Sequence, residues 1–312
     1  MEHIHDMAII GGGPAGYTAA LYAARAGIDV VVIEKMSVGG QMIYAGNVEN
    51  YPGFENGING FNLGEKMQKC AEQVGAKTEY AEVLSVNFDG VIKEAQTNDG
   101  KVSARTFIIA SGAYPKKLGI ENEDKFVGKG VHYCAHCDGR FYKNKTVAVV
   151  GGGNSAVQEA LYLSGIAERV YIIHRDDTVK ASRAIYEPLS NTSNAEFILN
   201  SVVTAFNGDE RLTGIKVKNV KNGEESVIDC DGIFIAIGRA PATEFLRGSV
   251  ELDKNGYIIA DESTRTSIDG VFAAGDVRTK AMRQIITAAS DGAVAVHFAE
   301  EYLAANNLKS QN

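Results

Sequence analysis

Two glycine-rich stretches, Gly11-Gly12-Gly13-Pro14-Ala15-Gly16 and Gly151-Gly152-Gly153-Asn154-Ser155-Ala156, constrain this chain more than anything else in it. The first follows the apolar run Met7-Ala8-Ile9-Ile10 and leads through a helix-like stretch, Tyr17 to Ala26, into Val30-Val31-Val32-Ile33 and then Glu34. This is a complete strand-turn-helix-strand unit. Gly11 permits the tight turn, Gly13 lets the backbone approach a pyrophosphate, and Gly16 allows close packing of helix on strand, with the helix N-terminus facing the phosphates. Glu34 closes the second strand, where a carboxylate accepts hydrogen bonds from a ribose diol. The order then repeats: Thr146 to Val150, the second glycine turn, a helix-like stretch to Ser164, and the strand Arg169-Val170-Tyr171-Ile172-Ile173. Later markers recur as well, with Phe107-Ile108-Ile109-Ala110-Ser111-Gly112 after the first turn and Phe234-Ile235-Ala236-Ile237-Gly238 after the second. The chain therefore carries two related nucleotide-binding units. The second closes near Gly238-Arg239-Ala240-Pro241, yet the sequence runs on through Gly270-Val271-Phe272-Ala273-Ala274-Gly275-Asp276. The economical arrangement inserts the second unit into the first, with crossings near 113–117 and 240–246. The expected fold is α/β, with two Rossmann-like, three-layer β/β/α domains: 1–115 with 243–312, and the inserted 116–242.

Shortly before the second glycine turn stands Cys134-Ala135-His136-Cys137-Asp138. Thiols at this spacing cycle between dithiol and disulfide, and two nucleotide units imply two cofactors to bring electrons to them. The alternative is half of a zinc site, with His132 and His136 as further ligands. Against it, the other cysteines, Cys70 and Cys230, are isolated and far off, so no second pair completes the coordination. No metal site is expected. With 312 residues the chain can bury two cores. A formal charge of −8 argues against nucleic acid or an anionic membrane, since both require a basic face, although a local basic patch for an acidic protein partner stays open. Met1 to Asp6 run straight into a strand without the basic and apolar regions of a signal peptide. No apolar run reaches the roughly 18 residues of a membrane span. The expected location is the cytoplasm, where a Cys-x-x-Cys pair is more often catalytic than structural.

Across essentially its whole length the chain resembles the low-molecular-weight bacterial thioredoxin reductases. The resemblance rests on both glycine turns, Gly39-Gly40-Gln41, Val48-Glu49-Asn50-Tyr51-Pro52-Gly53, Cys134-Ala135-His136-Cys137-Asp138-Gly139, Gly275-Asp276-Val277 and Arg283-Gln284, all in order. It implies that the discontinuous domain holds FAD, that the inserted domain holds NADPH (or NADH) and the redox disulfide, and that the enzyme is a homodimer. FAD would then be contacted by Gly11, Gly13, Pro14, Ala15, Gly16, Glu34, Lys35, Gly40, Gln41, Asn50, Ala110, Gly112, Gly275, Asp276, Arg283, Gln284 and Ile285. The nicotinamide coenzyme would fall to Gly151, Gly153, Asn154, Ser155, Ala156, His174, Arg175, Lys180, Ile237 and Gly238. The implied reaction passes electrons from coenzyme through flavin to the Cys134-Cys137 disulfide and on to thioredoxin or a thioredoxin-like protein. Cys137 would face the flavin, Cys134 would attack the partner, and Asp138 would handle the thiol proton. In the family the inserted domain rotates to present nicotinamide and disulfide in turn, and the two crossings are where hinges would lie.

The chain departs from the family pattern in three places. His136 replaces a Thr between the cysteines, where a protonated imidazole would stabilise a thiolate and make the disulfide more oxidising. At the partner-docking loop, Lys129, Arg140 and Phe141 stand where the family carries an Arg and a Phe pair, altering both shape and charge. The phosphate-clamping His-Arg-Arg, with a further Arg after it, reads His174-Arg175-Asp176-Asp177-Thr178-Val179-Lys180. Only Arg175 and, in part, Lys180 remain to meet a 2'-phosphate, whereas Ala156 is common at NADP sites. NADPH is the expected slight favourite, with NADH usable. Two other readings stay open: a paralogue drawing on NADH or reduced ferredoxin or reducing another protein disulfide, and a ferredoxin-NADP reductase-like or non-catalytic flavoprotein, which would need no paired thiols.

Overall fold

Aliphatic residues run almost unbroken through Met7–Ile10, Val30–Ile33, Phe107–Ile109 and Val147–Val150, and all are buried, as central strands covered on both faces must be. The computed structural model describes residues 3–44, 47–246 and 248–308. The chain divides into two compact units, Met1–Tyr114 with Ala240–Asn312, and Pro115–Arg239. The second crossing falls slightly before the expected position. The reason is local: the Ala242 amide donates to the Gly112 carbonyl at 3.0 Å and the Ser111 hydroxyl to the Ala242 carbonyl at 2.7 Å, sewing this stretch into the first unit.

The leading segment contributes β1 (Ile4–Ile10), α1 (Pro14–Arg25), β2 (Val30–Glu34), α2 (Gly60–Glu72), β3 (Lys77–Tyr80), β4 (Val83–Asn87), β5 (Lys93–Thr97), β6 (Gly100–Ile109) and the crossing strand β7 (Ala113–Pro115). The inserted segment adds α3 (Glu123–Phe126), β8 (Val131–His132), α4 (Ala135–Asp138), β9 (Thr146–Val150), α5 (Asn154–Ser164), β10 (Arg169–Ile173), α6 (Arg183–Ser190) and β11 (Ala195–Ile198). It continues with β12 (Ser201–Gly208), β13 (Leu212–Asn219), β14 (Glu225–Asp229), β15 (Gly232–Ile235) and the returning β16 (Arg239–Pro241). The closing segment holds β17 (Val271–Ala273) and α7 (Ile285–Ala305).

In the first unit the sheet order is β3-β2-β1-β6-β5-β4, with β17 also paired to β6. Strands β1, β2, β3, β6 and β17 are parallel, while β4 and β5 are an antiparallel meander. Alternate residues serve opposite faces. Met7, Ile9, Val30, Val32 and Ile108 meet α1, α2 and α7 through Tyr17, Ala20, Ala71 and Val296. Ala8, Ile10, Val31, Phe107 and Ile109 meet Phe88, Ala95, Leu246 and Ile258 on the other side. Helices α1 and α7 approach to backbone contact, since a Cβ on Gly292 would lie 2.2 Å from the Ala15 carbonyl oxygen.

The second unit repeats the plan. Its parallel sheet has the order β11-β10-β9-β15-β8, and β12-β13-β14 form a separate antiparallel sheet. Val147, Val149, Ile172 and Phe234 pack on α4, α5 and α6, while Ala148, Val150, Ile173 and Ile233 pack on Val203, Leu212, Ile215 and Val217 of the meander. Both units are thus β/β/α sandwiches. In each, the strand order reverses beside the glycine turn, at β1/β6 and at β9/β15, and such switch points are where doubly wound sheets bind ligands.

Candidate active site

The first turn is shaped for a pyrophosphate. Gly11, at φ +108°, has no room for a side chain: a Cβ would lie 2.5 Å from the Ala110 carbonyl oxygen. A Cβ on Gly16 would lie 1.9 Å from the Gly11 carbonyl oxygen, whereas one on Gly13 would meet nothing within 4 Å, so this one face stays open to a ligand. Gly13 caps α1 without a side-chain hydrogen bond and Pro14 follows it, which leaves the helix's first amides unspent. Glu34 accepts from the Gly12 amide at 2.7 Å and the Met36 amide at 3.0 Å, fixing its carboxylate at the end of β2. Gly40 packs against Gly13, with 3.3 Å from its Cβ position to the Gly13 Cα.

The distant FAD candidates gather in the same unit. The Ala274 amide donates to the Ile109 carbonyl at 2.9 Å, and Gly275 comes to rest against Ala15, placing Gly275 and Asp276 at the strand ends beside the turn. The Asn50 side-chain amide donates to the Gln284 side-chain oxygen Oε1 at 3.1 Å, and Gln284 caps α7, whose first residue is Ile285. Arg283 donates to the Asp276 carbonyl at 3.2 Å and lies over the Tyr257 ring at 4.0 Å. Ala110 and Gly112 follow β6, whereas Lys35 is exposed and ion-paired to Glu82 at 2.6 Å. Beneath this cluster lies a polar knot that the sequence reading missed. Asp291 accepts two hydrogen bonds from Arg278 at 2.8 Å, one from Lys280 at 2.8 Å and one from the Gly275 amide at 2.9 Å. Burial alone would push the Asp291 carboxyl up, but the Arg278 and Lys280 hydrogen bonds outweigh it and hold it below the usual range.

The second turn repeats the geometry. Gly151 has φ +145° and a Cβ position 2.5 Å from the Ala236 carbonyl oxygen, while Gly153 faces open space. Asn154 and Ser155 begin α5, and Ala156 is buried beneath it. The Asn154 side chain accepts from the Ser182 amide at 2.8 Å, and the Lys180 amide donates to the Gly152 carbonyl at 2.7 Å, folding the basic loop back over the turn. His174 is buried against Gly152. Asp176 does not turn away into solvent. Its carboxylate lies 2.9 Å from Lys180, 3.8 Å from Arg175 and 3.6 Å from His174, and the adjoining Lys180 ammonium, with the Arg175 charge behind it, holds it below the usual carboxylate range. Asp177 pairs with Lys221 at 3.0 Å. Ile237 and Gly238 follow β15, with Ile237 exposed.

Cys134 and Cys137 are joined in a disulfide with their Cα atoms 5.3 Å apart, the oxidised form of a redox pair. Among the described residues, the one group of three converging metal-type ligands is His3, His5 and Asp29, where both imidazoles hydrogen-bond a single Asp29 oxygen at 2.7 and 2.8 Å. Cys137 is exposed and Cys134 half-buried. His132, open in the sequence as a zinc ligand, instead bridges Asp138 and the Tyr142 hydroxyl, and the His136 ring packs on Tyr162 at 4.3 Å. Glu159, on α5, accepts from the Ala135 amide at 3.3 Å, and burial lifts its carboxyl to about 7 against the opposing pull of Arg239. Lys129, Arg140 and Phe141 are all exposed, with Phe141 on the turn directly after the disulfide helix. Burial raises the free Cys230 thiol to about 12, which leaves it unreactive.

The profile of the pyridine nucleotide-disulphide oxidoreductases matches residues 5–292. Thioredoxin reductase of Treponema pallidum (strain Nichols) is 43% identical over 97% of this chain and 98% of its own length. That of Streptomyces coelicolor is 44% identical over 98% and 96%. The chain belongs to the thioredoxin reductases. The crystal structure of thioredoxin reductase from Streptococcus pyogenes superposes on this reductase with a TM-score of 0.89 at 40% identity, covering 97% of this chain and 99% of the other. It is accordingly an oxidoreductase that uses a flavin and a pyridine nucleotide. No helix among its described residues is long and apolar enough to cross a membrane.

Proposed function

We propose that this reductase holds FAD on the Gly11–Gly16 turn and a nicotinamide coenzyme on the Gly151–Ala156 turn, and reduces thioredoxin or a thioredoxin-like protein through Cys134 and Cys137. The observation that carries the reading is the disulfide itself, set on a short helix with Cys137 exposed, Asp138 adjoining and Phe141 projecting beside it. A bound flavin would supply the two-electron relay between nicotinamide and that disulfide. The chain's own residues do the rest. The open faces at Gly13 and Gly153 seat the pyrophosphates on unspent helix amides, and Glu34 accepts from the ribose. Asp276 is placed to accept from the polyol, and Asn50, Arg283 and Gln284 frame the site from two distant stretches. Cys134 attacks the partner disulfide while Cys137 returns to close the ring, and Asp138 gives or takes the sulfur proton. Lys129, Arg140 and Phe141 form the docking surface.

Arg175 and Lys180 serve a 2'-phosphate only when it displaces Asp176, so both coenzymes support turnover, with NADPH slightly favoured. The family resemblance supports a homodimer working in the cytoplasm. Anaerobic titration of the yellow protein with NADPH and with NADH, followed by thioredoxin disulfide, tests the reading. The flavin should bleach with both coenzymes and regain its colour when the protein disulfide is added. Bleaching by neither, or bleached flavin that ignores the disulfide, would refute it.

A further inference from the structure

His132 ends β8 two residues before Cys134 and is only 7% exposed, yet both of its ring nitrogens are engaged. Nδ1 lies 3.1 Å from Asp138 Oδ2, and Nε2 lies 2.6 Å from the Tyr142 hydroxyl. The ring cannot swing, because it stacks on Phe234 with centroids 5.3 Å apart and 26° between planes and meets Tyr142 edge-on at 5.3 Å. With the hydrogen on Nδ1, the phenol can donate to Nε2 while the ring presents its N–H toward the carboxylate 3.1 Å away, so one ring engages both partners. Tyr142 is an anchor here and not a source of protons. Burial, reinforced by the Asp138 charge, pushes its ionisation well above the ordinary tyrosine value.

We propose that His132 is a positioning residue for the disulfide step, holding the Asp138 carboxylate in one orientation beside Cys137 with Tyr142 locking its tautomer. The proposal rests on the acid-base reading of Asp138. Opening the Cys134-Cys137 bond takes two electrons, which the pyridine nucleotide supplies, and yields two thiols only when two protons arrive. With one proton it leaves a thiol and a thiolate. Asp138 carries that proton to or from sulfur, and the His132 contact at Oδ2 leaves Oδ1 for the transfer. This is the logic by which a buried carboxylate orients a histidine in hydrolases, with the roles exchanged.

The test uses the whole FAD-loaded enzyme, reading coenzyme-driven flavin reduction and protein-disulfide reduction separately across pH. The other charged or titratable groups near the line are Arg211, Asp231, Cys230 and Lys145 around Tyr142, His136 within α4 and Glu159 behind it, so E159Q is run alongside. H132F keeps the bulk and the stacking but removes both nitrogens. It should slow the disulfide step about tenfold and move the acid limb of its pH profile upward, because the charged carboxylate has lost a donor. Flavin reduction should be unchanged. H132Q, whose amide again donates to Asp138, should recover most of the rate, and Y142F should shift the profile the same way by less. H132F on top of D138N should be no slower than D138N alone. A disulfide step unchanged in H132F while D138N still slows it would overturn the proposal. So would a loss with no pH shift and no recovery in H132Q. If H132F does not fold, H132Q and Y142F decide: the same pH shift in Y142F supports the proposal, and an unmoved profile in both overturns it. An ineffective D138N would instead remove the acid-base role of Asp138, and the proposal with it.

Discussion

On the proposed coenzyme site, Lys180 and Arg175 would be the cations to meet a 2'-phosphate, and Asp176 already stands 2.9 and 3.8 Å from them. A phosphate entering there must evict a carboxylate of its own sign, whereas NADH brings nothing that competes. The preference for NADPH in kcat/KM should therefore stay below about a thousandfold, some 4 kcal/mol at 1.4 kcal/mol per decade. Asp176→Ala should raise NADPH efficiency about tenfold and leave NADH nearly untouched, one decade being the scale of one lost ionic competitor. Equal gains for both coenzymes would show that Asp176 acts on the fold and not on the phosphate. At the disulfide, Cys134→Ser and Cys137→Ser should each abolish protein-disulfide reduction while the flavin still bleaches with coenzyme; turnover in either variant would refute the assignment. The Cys134–Cys137 pairing, the place of Glu34 at the end of β2 and the tight glycine turns were legible in the sequence because they follow from short-range spacing. Asp176 was legible only as a charge, since its direction depends on how the 176–180 loop folds back. His132 and Glu159 were not legible as partners of the disulfide helix, because nothing local marks a strand-end histidine or a mid-helix glutamate as facing it.

Helices α1 and α5 announce themselves through the glycine turns that start them. The disulfide helix Ala135–Asp138 is too short to leave any periodicity, and α6 hides behind its internal Pro188. The β12–β14 meander, whose β14 is largely polar and exposed, carries no motif either, although it closes the inserted core. Contact between α1 and α7 is the element-scale feature most open to test. Gly292→Val would drive a side chain into the Ala15 carbonyl at the base of the first glycine turn, and overpacking of this kind costs about 1–3 kcal/mol or more. Thermal melts of the flavin-loaded variant should fall by several degrees, with faster loss of FAD on dialysis; an unchanged melt would mean that the helices separate freely. Glu159, joining α5 to the disulfide helix, predicts a pH signature. Its carboxyl is lifted to about 7 from the model-peptide value of 4.5, so the folded chain binds the proton more tightly than the unfolded one. The associated stability is complete below about 4.5, declines as pH rises and is gone above about 7. Denaturant titrations of Glu159→Gln should show a flatter pH dependence across that window. Parallel curves for the two proteins would remove the linkage.

On the scale of the whole molecule, the repeated turn-and-marker pattern was enough to show two units, one inside the other, because each carries a complete strand-turn-helix-strand signature. The edges of the insertion were less legible, since β7 and β16 are three residues each and owe their place to backbone bonds. Binding of FAD to the first unit alone should make the unfolding of the apo- and holoenzyme differ in one transition only, by an amount that grows as the logarithm of free FAD. Differential scanning calorimetry with and without excess FAD checks this, and an equal shift of every transition would contradict it. The Lys116 amide meets the Gly238 carbonyl at 3.0 Å, and the Ala242 amide meets the Gly112 carbonyl at 3.0 Å. The guest thus enters and leaves at one point, and the host's cut ends already touch. To the host gene, then, the insert is a cassette spanning almost no distance: excised, it leaves a gap that a short glycine-serine turn can bridge at little entropic cost, and nature or a designer can exchange it for another nucleotide-binding guest without re-registering a single host strand.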